Sequence, residues 1–178
     1  MEFSTRIGKI QDLYEAQVSL MVAVRSLPEV VGFLVSRRGP EQAEEDLRDI
    51  GNTILKRILM VWSPKNTKPF KVFKELMHKF FGNKKLKGKV EERIDGMPSK
   101  IIVRDYNCPL CPSKKVEELE VSEIHYCIAI SGFLEGILNH LVEYKVVPFT
   151  KAKCNTVASV GSGDKYCEHI INLEYGRF

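Results

Sequence analysis

Apolar positions recur at helical spacing through the first 82 residues of this 178-residue chain and at period two in much of the remainder. Over 4–16, Ile7, Ile10, Leu13 and Tyr14 fall on one side of a helix. The valine-rich run Val18–Val24 reads as a strand. Leu27–Val35 reads as a short helix, with Pro28 at its start and Arg37-Arg38-Gly39 at its end. Pro40 opens a long helix to Trp62, with Leu47, Ile50, Ile54, Leu55, Ile58, Leu59 and Trp62 on its buried side, and Ser63-Pro64 ends it. From Pro69 to Phe81 the aromatics Phe70, Phe73, Phe80 and Phe81, with Met77, mark a third amphipathic helix, terminated by Gly82-Asn83.

The period then changes to two. Lys89–Ile94 and Lys100–Tyr106 read as strands around the hairpin signal Asp95-Gly96-Met97-Pro98. Two prolines make Cys108-Pro109-Leu110-Cys111-Pro112 a knuckle or loop. Ser122 is placed to cap a helix running to Glu143 that is apolar on nearly every side in its first half, so it is predicted to be buried. Gly132 and Gly136 inside it each cost about 1 kcal/mol relative to alanine, which suggests close approach of another backbone or a ligand. Val146–Ala158 and Tyr166–Tyr175 read as strands joined by the turn Gly161-Ser162-Gly163-Asp164. Helices and strands in separate blocks predict an α+β fold, helices packed on an antiparallel sheet.

Composition narrows the class. Hydrophobic residues at 44% and charged residues at 28% suit a soluble globular protein. The apolar stretches are too short to span a bilayer, and the N-terminus lacks the basic-then-apolar order of a secretion signal, so a cytoplasmic location with no membrane partner is expected. Between Lys65 and Lys89 lie nine lysines and one acid, Glu75. Their spacing among the aromatics makes them the solvated side of the third helix. With no arginine there for base readout, no nucleic-acid partner is expected.

All five cysteines fall in the second half: Cys108, Cys111, Cys127, Cys154 and Cys167. Thiolate and imidazole are the ligands zinc prefers, and reduced cytoplasmic thiols in a cluster point to metal. Cys127 lies near the start of the buried helix, and Cys154 and Cys167 on adjacent predicted strands, where pairing across the turn can bring them together. Cys108, Cys111, His125 or His169 can complete a tetrahedral set. Cys127 taken alone also fits an ordinary core cysteine. No other catalytic constellation is present: there is no phosphate loop after a strand, no nucleophile elbow and no His-Glu-x-x-His helix.

The run His125-Tyr126-Cys127-Ile128-Ala129-Ile130-Ser131-Gly132-Phe133-Leu134-Glu135-Gly136-Ile137-Leu138 resembles the central helix of the 4-vinyl reductase (hydrocarbon-binding) domain family. Gly163-Asp164-Lys165-Tyr166-Cys167 and the apolar run after it resemble that family's closing strand. The resemblance implies a fold similar to vesicle-tethering (TRAPP-like) subunits, a homodimer, and zinc held by Cys127, Cys154 and Cys167. It departs at Lys151, where the family has a glutamate ligand. The fourth ligand is then expected from Cys108 or Cys111, giving a closed, structural site.

Residues 1–17 are read as an extension and 18–178 as one domain of this kind. The function expected first is zinc-stabilised binding of a small apolar or aromatic molecule, as sensor or carrier, in a pocket lined by Trp62, Tyr126, Ile130 and Phe133. The alternatives are a reductase of tetrapyrrole metabolism, for which no catalytic residue is assigned, and a dimeric assembly module without a small ligand.

Overall fold

The computed structural model describes residues 29–82, 85–94, 97–111 and 124–176, together with positions 11, 14, 15, 18, 22 and 26. Most of the predicted extension, the hairpin tip Asp95-Gly96 and the capping residue Ser122 lie outside the described residues. Helix α1 is continuous over 29–38, and every described position before it is helical too. Val18 and Val22, expected in a strand, are therefore helical: the preference of valine against helix is worth only about 0.7 kcal/mol per residue and yields to context.

The remaining elements are α2 (Pro40–Val61), α3 (Pro69–Phe81), β1 (Leu86–Ile94), β2 (Met97–Asp105), α4 (Ile128–Glu143), β3 (Lys151–Ala158) and β4 (Cys167–Glu174). Local chemistry sets the helix ends. Gly39 at φ 77° precedes Pro40, extended Trp62 closes α2, and Gly82 at φ 65° donates its N–H to the carbonyl of His78. The strands form one antiparallel sheet in the order β1-β2-β4-β3, so the fold is α+β as expected. No described helix is long and apolar enough to cross a membrane.

Alternation divides the sheet. Ile101, Val103, Cys167, His169 and Ile171 point to the helical layer, where they join Leu47, Phe73, Leu76, Phe133 and Ile137 in a continuous core. In α3 the lysines Lys71, Lys74 and Lys79 are exposed and Phe73, Leu76, Met77 and Phe80 are buried. Helices α2 and α4 meet backbone to backbone: a Cβ on Gly51 would stand 2.0 Å from the Ala129 oxygen, and one on Gly132 2.2 Å from the Arg48 oxygen. The glycines of α4 therefore admit a neighbouring helix.

Candidate metal centre

Four of the five thiols converge. The sulfurs of Cys108, Cys111, Cys127 and Cys167 all lie within 4.8 Å of one another, and those of Cys111 and Cys167 are 3.3 Å apart. Three separate pieces of chain deliver them. After β2 the Asp105 carboxylate accepts the Asn107 N–H at 2.8 Å, turning the chain into the proline-flanked knuckle that presents Cys108 and Cys111. Cys127 is the cap residue of α4, in a turn where Ile128 N–H donates to the His125 carbonyl at 3.1 Å. Cys167 opens β4 on the helix-facing side.

The turn before β4 completes the surroundings. Over Val160–Ser162 the chain makes one 3₁₀ turn, in which the Ser159 hydroxyl accepts the Ser162 N–H at 3.2 Å and the Asp164 carboxylate accepts the Ser159 N–H at 2.8 Å. This aims two backbone donors at sulfur: Val160 N–H to Cys167 Sγ at 3.3 Å, and Gly161 N–H to Cys111. Donors of this kind favour thiolate over thiol. The Tyr126 ring packs so closely on Gly161 that a Cβ there would come within 2.6 Å of it. The predicted turn thus supports the sulfurs from outside, a role that nothing in its glycine spacing signalled.

The electrostatics suit a cation. Hydrogen bonds from Cys108, Cys127 and Cys167 hold the Cys111 thiol far below its ordinary range, against the opposing effect of burial. Cys108 is pushed up, first because it donates to Cys111, and Cys127 is pushed up by burial and by the same bonds. A sulfur favoured as thiolate among three close sulfurs suits a cation, and a metal ion can displace the remaining protons. A tetrahedral M–S distance of 2.3 Å requires sulfurs about 3.8 Å apart, which this group approximates. Cys108, Cys127 and Cys167 are buried and Cys111 is partly exposed, so the group can hold a metal ion.

Cys154 is not a member. The β3–β4 register sets it opposite Ile171, four positions and about 13 Å along the strand from Cys167. The turn spans more residues than its glycines suggested, and the two thiols do not meet at its base. Instead Cys154 is buried beside Ser131, Arg48 and Glu135. Lys151 stands exposed on the same strand, its ammonium 3.9 Å from Glu174, so its missing carboxylate has no bearing on the thiol group.

The other candidates also stand apart. His125 Nδ1 lies 3.4 Å from the Ser162 hydroxyl. His169 is buried with Nδ1 3.1 Å from both the Ser131 and the Thr156 hydroxyls, and burial lowers its pKa to about 4. That cluster joins residues far apart in sequence and has no spacing signature. Trp62, Tyr126, Ile130 and Phe133 are all core residues: Trp62 meets Phe80 edge-on, and Phe133 meets Phe81. Two surface grooves, of about 320 Å³ beside His140 and Tyr144 and about 220 Å³ beside Lys87 and Arg104, are lined by none of the four.

Among known structures, subunit 3 of the trafficking protein particle complex from Naegleria fowleri, solved covalently bound to palmitic acid, superposes with a TM-score of 0.61. It is 15% identical, and the match covers 90% of this chain and 99% of that one. The chain therefore has a TRAPP-like fold. No protein-family model matches it, and no curated protein sequence does.

Proposed function

We propose that this protein is a non-catalytic TRAPP-like module clamped by one structural zinc ion on Cys108, Cys111, Cys127 and Cys167, and that its role is assembly as a homodimer or larger complex. The observation that carries the reading is the four-sulfur group with its two backbone donors. Four thiolates satisfy zinc and leave no coordination position for a substrate, the signature of a structural ion. Among the described residues, Trp62, Tyr126, Ile130 and Phe133 belong to the core cluster and line neither surface groove, which favours assembly over storage of a ligand. Assembly is supported further by Tyr14, Val18, Val22 and Phe33, apolar residues exposed on helical positions, of which the first three recur every fourth residue. The 4-vinyl reductase resemblance of the central helix and closing strand is compatible with this reading.

Protein purified without added metal should carry about one zinc per chain. Cys111→Ser and Cys167→Ser should each lower metal content and stability together, while Cys154→Ser should leave the metal in place. Full stability in a metal-free protein would defeat the proposal.

A second reading, binding of a small apolar molecule, has its own support. Trp62 Nε1 and the Tyr126 hydroxyl are buried without a hydrogen-bond partner among the described residues, and the Naegleria subunit carries palmitate. Native mass spectrometry distinguishes the two readings: a retained organic mass supports the ligand, and a bare zinc-loaded oligomer supports assembly.

A further inference from the structure

The four sulfurs differ in access. Cys127 and Cys167 are fully buried and Cys108 is 8% exposed, whereas Cys111 is partly open to solvent. A small polar oxidant therefore meets the group first at Cys111. They differ in spacing too. Cys111 Sγ lies 3.3 Å from Cys167 Sγ, inside the 4.8 Å that bounds the whole group. Strand register accounts for the approach. Asp105, the last residue of β2, pairs with Cys167, so the knuckle leaves the sheet beside Cys167 and brings Cys111 back against it. The same 3₁₀ turn supports both sulfurs, Val160 N–H donating to Cys167 and Gly161 N–H to Cys111. The pair has to close by only roughly 1.3 Å to reach bonding distance.

We propose that Cys111 and Cys167 are a peroxide-sensitive pair, which hydrogen peroxide converts to a disulfide with loss of the metal ion. The release, unlike the pairing, rests on the structural zinc ion proposed above. The Cys111 sulfur attacks one peroxide oxygen. The O–O bond breaks, the departing oxygen leaves as water with a solvent proton, and Cys111 becomes a sulfenic acid. The Cys167 sulfur then attacks the Cys111 sulfur. An S–S bond forms, the S–O bond breaks, and a second water leaves with a second solvent proton. The two sulfurs lose two electrons and the two peroxide oxygens gain them. Cys108 and Cys127 remain as half of the set that zinc needs, and each takes up a proton as the ion departs.

The test starts from zinc-loaded protein of measured metal content. Hydrogen peroxide is added in small excess, zinc release is followed with a chromogenic chelator, and disulfides are located by alkylation, digestion and mass spectrometry. A single disulfide, Cys111–Cys167, should form in step with about one zinc released per chain, and dithiothreitol with added zinc should reverse both. Cys111→Ser should slow the oxidation about tenfold or more, and Cys154→Ser should leave its rate and product unchanged. If Cys111→Ser does not fold, disulfide mapping in the wild type decides. Metal-free wild type treated alike separates the pair from the ion. A chain that never holds zinc yet forms Cys111–Cys167 supports the pair and defeats the structural zinc, whereas a zinc-loaded chain that oxidises elsewhere defeats the pair alone. The proposal fails if the first disulfide is Cys108–Cys111, if Cys111 passes to sulfinic acid without pairing, if zinc stays bound once the pair has closed, or if peroxide leaves the four thiols reduced.

Discussion

Cys154 and Cys127 are equally buried, yet they belong to different chemistries. Around Cys127 three other sulfurs lie within 4.8 Å, whereas Cys154 sits beside the Ser131 hydroxyl with Arg48 and Glu135 nearby. Burial pushes its thiol from the ordinary 9.0 up to about 12, although Ser131 and Arg48 pull the other way. The consequence for stability has a definite sign. A thiol that ionises more readily unfolded than folded stabilises fully below about pH 9, and that contribution is lost as pH rises from 9 toward 12. The difference in unfolding free energy between the wild type and Cys154→Ala should therefore shrink across this interval. Chemical denaturation at stepped pH measures it, and a constant difference would show that Cys154 ionises as easily folded as unfolded. Iodoacetamide should likewise reach Cys154 only on unfolding.

Among the elements, the α2–α4 contact is the most sharply constrained. Alanine in place of glycine normally gains a helix about 1 kcal/mol. At Gly51 and Gly132 the new methyl would meet main-chain atoms of the facing helix, which move only by separating the two helices. Gly51→Ala and Gly132→Ala should therefore destabilise by about 3 kcal/mol or more, read as a lower denaturation midpoint. Unchanged stability in either variant would mean that the helices are not in backbone contact. This contact was legible as two unexplained glycines, and α2 and α3 were legible to within a residue, because proline and glycine act on the few residues beside them. Strand register was not. It depends on how many residues the 3₁₀ turn absorbs and on side chains from other elements. Glu135 accepts the Cys154 N–H at 2.8 Å, Asn139 pairs with both backbone groups of Ala152, and Arg48 donates to the Cys154 carbonyl and to Asn155. These bonds occupy the outer edge of β3 and fix where Cys154 stands, and they link residues up to 107 positions apart. The same limit hid the composition of the thiol group: that a cluster existed was evident, but which four sulfurs meet was set by register.

For the whole molecule, the thiol group and the α2–α4 contact hold different parts together. The helices are joined by close packing that needs no ion. The end of β2, the start of α4 and the start of β4 are joined by four sulfurs that lie within 4.8 Å of one another. A bound metal stabilises the native chain according to its concentration relative to its dissociation constant, so its removal should cost several kcal/mol. For a domain of this length that corresponds to about 10 °C or more in midpoint. The loss should also be uneven. After chelation, hydrogen exchange should accelerate first at 106–111, 124–130 and 160–167, while amides around Gly51 and Leu138 keep their protection. Exchange that rises uniformly, or a midpoint indifferent to chelator, would show that the sulfurs do not clamp the sheet to α4 through a metal. A local pattern would show the helical pair standing while the clamp opens, and the clamp is then what fixes β4, an inner strand that pairs with both β2 and β3.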